Sequence, residues 1–203
     1  GDIMGRKRNF VFLLAVVLFT FACEGSMSTP IKVSRHAYIP RLDQTKFAEY
    51  QGQTIIFDSV DSQAANVTNF YYFSPDREYA YHLFYSPSHM QQPLASFFWY
   101  ALEKTFTSVG LVVKDVGPVM NAPQVHVKIM YLTDQEGRFV VSISRNGYLL
   151  LQKPIVFSKK LPPAKDVAEL ERRQYDFLDL MAETILSDPD FRREFFSEKG
   201  RLD

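Results

Sequence analysis

The 203-residue chain carries 23 basic and 23 acidic residues, and 46% of its residues are hydrophobic. With Arg6, Lys7, Arg8 and Asp2 of the opening segment set aside, 20 basic residues face 22 acidic ones of interspersed sign, which excludes the basic stripe a nucleic-acid partner requires and a charged disordered tail. A single cysteine excludes a paired-cysteine metal site.

The first feature in chain order is "MGRKRNFVFLLAVVLFTFACEGS", from Met4 to Ser26. Arg6, Lys7 and Arg8 precede an uncharged run from Phe10 to Ala22. Crossing a bilayer takes about 20 apolar residues. This run is shorter, and its length suits the apolar core of a secretory signal. It is apolar all round, which a core helix with one buried face is not. "TFAC", ending on the only cysteine, resembles a bacterial lipobox, in which Cys23 is acylated and the chain is cut before it. The alternative is an ordinary secretory leader with an unrelated free cysteine. In an oxidising compartment a lone thiol is the odder outcome. Gly1-Asp2-Ile3 precedes the start-like Met4 and stays outside the fold reading. Acyl chains hold a protein to a bilayer without any spanning segment. Glu24, where an aspartate would retain the chain at the inner membrane, implies the outer membrane with the protein facing the periplasm. The expected organisation is a signal peptide over 4–22, lipidated Cys23 and a linker over 23–34, and one domain over 35–203.

Within that domain, residues 35–50 read as an extended segment with one helical turn. Residues 53–60, "QTIIFDSV", form a β-branched strand. "NFYYFS" and "EYAYHLFYS" follow, joined by the turn Ser74-Pro75-Asp76. Pro93 opens a helix to about Val109, with Leu94, Phe97, Phe98, Ala101, Leu102, Thr105 and Phe106 on one stripe and Gly110 just past its end. After a strand at 111–116 comes an antiparallel meander of "QVHVKIMYL", "GRFVVSISR" and "YLLLQKPIVFS", with Asn146-Gly147 as a hairpin turn and Pro154 marking an edge or bulge. A long helix spans about 165–186 with Val167, Leu170, Phe177, Leu178, Met181 and Ile185 on its apolar face. Asp188-Pro189 restarts a short helix to Phe196, and 197–203 are expected to fray. The expected class is α+β, a mixed or mostly antiparallel sheet with two long amphipathic helices on one face.

No zinc-protease, nucleophile-elbow or phosphate-loop signature occurs. His36, His82, His89 and His126 are scattered, and His82 and His89 with Met90 match no metal-ligand spacing. Asp58 with Asp61, and Asp134 with Glu136, fall at a strand end and in a turn, where acids are ordinarily solvated. The chain is therefore expected to be no enzyme and to need no cofactor or metal.

The distinctive feature is aromatic content, 18 Phe, 11 Tyr and 1 Trp, much of it clustered. A buried core accounts for most of it, but "YYF" and "FFWY" put rings on both sides of their elements. Tyr71, Tyr72, Phe73, Phe98, Trp99 and Tyr100 are thus the candidates for a surface that docks a partner or holds acyl chains. A lipobox, a strand, "PLASFFWYALEKTFTSVGLVVKDV", a meander and a long C-terminal helix together resemble the auxiliary lipoproteins of bacterial ABC-type lipid-transport systems. More loosely they resemble the small lipoprotein that assists lipopolysaccharide assembly. The resemblance covers roughly residues 71–186 and rests on pattern. It implies a non-enzymatic accessory component of an envelope transport or assembly machine, membrane-bound through its lipid anchor, with a protein partner in the envelope and lipid as a further ligand class. An outer-membrane activator of cell-wall synthesis is the competing expectation, and it would want a long tether.

Overall fold

The computed structural model describes residues 28–85, 90–115, 119–164, 166–199 and 201. Cys23 and His89 lie outside them. The α+β class holds, with the strands divided between two sheets where one was expected.

The larger sheet has the order β6 (Val112–Lys114), β2 (Thr54–Ser62), β7 (Gln124–Leu132), β8 (Glu136–Arg145), β9 (Tyr148–Ser158). β2 runs parallel to β6 and β7, and β7, β8 and β9 form the antiparallel meander. Side-chain alternation decides its faces: Val125, Val127 and Ile129 of β7 and Phe139, Val141 and Ile143 of β8 are buried, while His126, Lys128, Val140 and Ser142 between them stay partly open. Asn146 and Gly147 both take positive φ, 49° and 84°, as the two-residue turn requires. Pro154 lies on β9, an edge strand, where a missing N–H is tolerated.

The smaller sheet orders β1 (Thr29–Ser34), β4 (Tyr79–Tyr85), β3 (Tyr71–Phe73), with β5 (Met90–Gln91) pairing the far end of β4. β1 corrects the linker reading of residues 23–34. From Thr29 onward the chain pairs in parallel with β4, and Ile31 and Val33 are fully buried. Each such burial contributes about 1.5–3 kcal/mol, enough to draw the segment onto the body.

Helices cover the inner faces. After a 3₁₀ segment (Gln44–Tyr50) that buries Phe47 and Tyr50, α1 (Leu94–Ser108) buries the expected stripe from Leu94 to Phe106 and packs on β2 and β6. Gly110 ends it at φ +91°, and a Cβ there would sit 3.1 Å from Gln51 Cα, so glycine is needed for conformation and for space. α2 (Val167–Ser187) is capped by Asp166 and packs against β1, β9 and α1. Val167, expected on its apolar face, is 54% exposed at the helix start. α3 (Pro189–Phe195) begins as expected, with Asp188 accepting from the amides of Asp190 and Phe191, each at 3.0 Å. Lys153 Nζ bridges Asp188 and Asp190 at 2.7 Å each. Residues 197 and 199, expected to fray, instead bind Arg145 through their carbonyls.

A buried carboxyl, Asp134, and a half-buried one, Asp179, make stability pH-dependent. Asp134 accepts from the Tyr81 hydroxyl at 2.6 Å, and Asp179 accepts from Tyr38 at 2.7 Å. Burial pushes both above the ordinary carboxylate range, outweighing those hydrogen bonds. Between the ordinary and the raised values the folded state keeps protons that the unfolded chain has lost, so this contribution to stability is complete at lower pH and declines as pH rises through the window. Thermal melts are expected to show this contribution as a higher midpoint at the ordinary carboxylate pKa, about 4, than near pH 8. The Asp134→Asn, Asp179→Asn double variant should flatten that difference. A midpoint difference unchanged in the double variant would assign the slope to other groups.

Candidate functional site

A cavity of about 720 Å³ forms a groove between α1 and β2. Its construction follows from strand length. β6 pairs only with residues 54–56 of β2 and ends at Lys114, whereas β2 continues to Ser62. Among the described residues no strand flanks the remainder of β2 on that side. The β2–β7 register shifts between Phe57 and Ser59, and Asp58 is exposed at that irregularity.

α1 supplies the other wall. Its core stripe leaves a second one at helical spacing, and Ser96, Trp99, Tyr100 and Glu103 of that stripe line the groove. Residue 57 holds Trp99 twice. Its indole stacks on Phe57 at 5.6 Å and 12°, and Nε1 donates to the Phe57 carbonyl at 3.2 Å. Tyr100, 41% exposed, meets Trp99 edge-on at 5.0 Å. The Arg35 guanidinium sits 3.6 Å from the Tyr100 ring centroid and 4.5 Å from that of Tyr85.

Charge gives the groove its character. Asp58, Glu103 and Asp115 line it, and among the described residues no basic residue does. None of the three carboxylates enters an ion pair among the described residues. Tyr100 and Glu103 also line a second hollow of about 230 Å³ with Arg35, His36 and Lys104. Lys104 is already engaged there, donating to the carbonyls of Arg35 and Tyr38. An acidic, aromatic-walled trough beside an unflanked strand suits an extended segment bearing cations, through charge, cation–π contact and main-chain pairing together.

The six aromatic candidates separate into three places. Tyr72 and Phe98 are core residues, 1% and 0% exposed; Tyr72 stacks on Tyr81 and donates to Gln174. Tyr71 and Phe73 stand on the opposite face of the smaller sheet, where Tyr71 stacks on His82 at 5.1 Å and Arg77 lies over Phe73 at 5.1 Å. Trp99 and Tyr100 line the groove. Of its acids, only Asp58 stands out in the sequence, as one of a strand-end pair. Glu103 falls four residues after Trp99, and that interval is the signal that links them.

On the open face of the larger sheet, Ser59 Oγ lies 2.7 Å from His126 Nδ1, and His126 Nε2 lies 3.5 Å from Asp61. In a nucleophilic triad the hydroxyl meets one ring nitrogen while a buried carboxylate holds the other. Here the carboxylate is largely solvated and beyond ordinary hydrogen-bond distance, so the row reads as cross-strand polar pairing. Among the described residues no three His, Cys, Asp or Glu side chains gather to hold a metal ion, and no helix is long and apolar enough to cross a membrane.

No family model matches the chain. No curated protein matches it either. Solved structures with a similar course include a crystal structure of an uncharacterized protein, 14% identical, with a TM-score of 0.42, covering 78% of this chain and 99% of that one. Another is a Xanthomonas campestris protein of the DUF330 family, 7% identical, with a TM-score of 0.48, covering 78% and 93%.

Proposed function

We propose that the chain is a non-enzymatic lipoprotein, anchored through Cys23 at the periplasmic face of the outer membrane, that serves as an accessory component of an envelope transport or assembly machine. Its groove takes an extended, basic segment of a protein partner in that machine. The leader pattern supports the location, and the pattern resemblance over residues 71–186 supports kinship with auxiliary lipoproteins of ABC-type transport. The observation that carries the docking role is the groove itself, where among the described residues three carboxylates are free of ion pairs, Trp99 and Tyr100 are set along one helix stripe, and β2 is unflanked beside them.

Tether length favours this reading over cell-wall activation. With Thr29 already in β1, residues 24–28 separate Cys23 from the body. Five residues span at most about 18 Å even when fully extended, so the domain stays beside its membrane and its partner must come there.

A photo-reactive amino acid at Ser96 in the membrane-bound chain tests the groove. The expected result is one discrete cross-linked envelope protein, with capture reduced about tenfold or more when Asp58, Glu103 and Asp115 are all replaced by lysine. Cross-linking that ignores the reversal would remove the groove from the partner's path, and no cross-link at all would count against a protein partner.

A further inference from the structure

Another cavity, about 360 Å³, lies on another part of the molecule, where the end of β8 meets the segment after α3. Arg145, the last residue of β8, is 1% exposed there. A guanidinium so deep normally faces a carboxylate, because an isolated buried charge is costly. This one has none. Nη2 donates to the Phe195 carbonyl at 2.8 Å, and Nη1 donates to the carbonyls of Ser197 and, at 3.1 Å, Lys199.

The bond to Phe195 satisfies the end of α3, whose partial negative charge offsets part of the buried cation, and the other two hold the segment after it. They leave Nε buried and without an acceptor. Burial first, and the like charge of Arg201 second, weaken the hold of Arg145 on its proton.

The cavity that Arg145 lines has the complementary character. Arg201 lines it too, and no acidic residue does among the described residues. Among the described residues the carboxylate bonded to Arg201 is Glu198, 85% exposed at 3.2 Å, a pair that solvent largely screens. Gln53 and Asn121 add polar wall, while Met120 and Phe196 add apolar wall. The space is several times larger than a bare inorganic ion requires and falls within the range of small-ligand sites.

We propose that this cavity binds a small molecule bearing a phosphate monoester on an apolar body, with the Arg201 guanidinium donating to the phosphate and the buried charge of Arg145 drawing it in. Two guanidiniums whose acidic neighbour among the described residues is the exposed Glu198 suit a group that carries close to two negative charges near neutral pH. Arginine also offers directed donors to phosphate oxygens. The ester could be soluble or a lipid headgroup, since the phosphate chemistry is the same.

The test is calorimetric titration of the full chain in neutral detergent with phenyl phosphate, with inorganic phosphate, and with dihexanoyl phosphatidic acid below its micelle concentration, all against chloride at matched ionic strength. One saturable site is expected for an ester, tighter than for inorganic phosphate. Phenyl phosphate binding the more tightly would assign a soluble ligand, and phosphatidic acid a lipid headgroup. Arg145 also holds the C-terminal segment, and its removal would disturb folding, so the deciding variant is exposed Arg201. Arg201→Glu should weaken binding about tenfold or more at an unchanged melting temperature, and Arg201→Lys should retain most of it. Heats no different from chloride, or an affinity indifferent to Arg201→Glu, would overturn the assignment.

Discussion

A chain carrying Cys23→Ser is expected to incorporate no labelled palmitate and to keep its leader uncleaved. Serine offers no sulfur for the diacylglycerol, and the peptidase of the lipobox pathway cuts only after that modification. The wild-type chain should incorporate label and begin at Cys23. The effect is close to all-or-none, because stable attachment takes two or more acyl chains and none can be added elsewhere in a protein with a single cysteine. The run from Phe10 to Ala22 is too short to substitute as a spanning helix. Pulse-labelling followed by N-terminal mass analysis reads both results. A wild-type chain cut at another bond, or one free of label, would remove the anchor and with it the nearness to the membrane on which the partner role depends.

How the chain folds was readable wherever local chemistry agreed with tertiary need. α1 was legible because its apolar residues recur at three and four and glycine stands where the backbone turns left-handed. The β8–β9 hairpin was legible because Asn146-Gly147 admits positive φ at both positions. β1 was not, since only Ile31 and Val33 are apolar inward residues among Pro30, Lys32 and Ser34, and its strand character comes from the β4 ladder some fifty residues later. The division into two sheets was hidden for the same reason: strand partners are set by long-range register, which no local pattern reports.

The sites divide along the same line. The aromatic surplus was legible, but which rings face out depends on β6 stopping at Lys114 and on the irregularity in β2 at Asp58. The "YYF" rings consequently went to the core and to the far side of the smaller sheet, and only Trp99 and Tyr100 reached the groove. Arg145, beside a hairpin turn, has the local signature of a solvated strand end. Its burial is made by residues 195–199 folding across it, a contact fifty residues distant.

Phe57→Ala is expected to cost about 3–5 kcal/mol of folding stability and to dismantle the groove wall at the same time. Phe57 is fully buried, meets Phe106 edge-on at 5.4 Å and carries the Trp99 indole at 5.6 Å. Alanine leaves a void under α1 and removes the surface against which Trp99 is held. The hydrogen bond to the residue 57 carbonyl survives in principle but no longer has a ring to enforce its geometry. Trp99 is the only tryptophan in the chain, so its fluorescence reports this one place. The emission maximum should shift to the red in the folded variant, measured below its lowered unfolding midpoint. Trp99→Ala should cost less, because its side chain is only partly buried, while abolishing groove capture as fully. If Phe57→Ala destabilised the fold without moving the Trp99 emission, the ring would be held by its hydrogen bond and by Tyr100. The groove would then be independent of the core beneath it, and the coupling drawn here between β2 packing and partner recognition would fail.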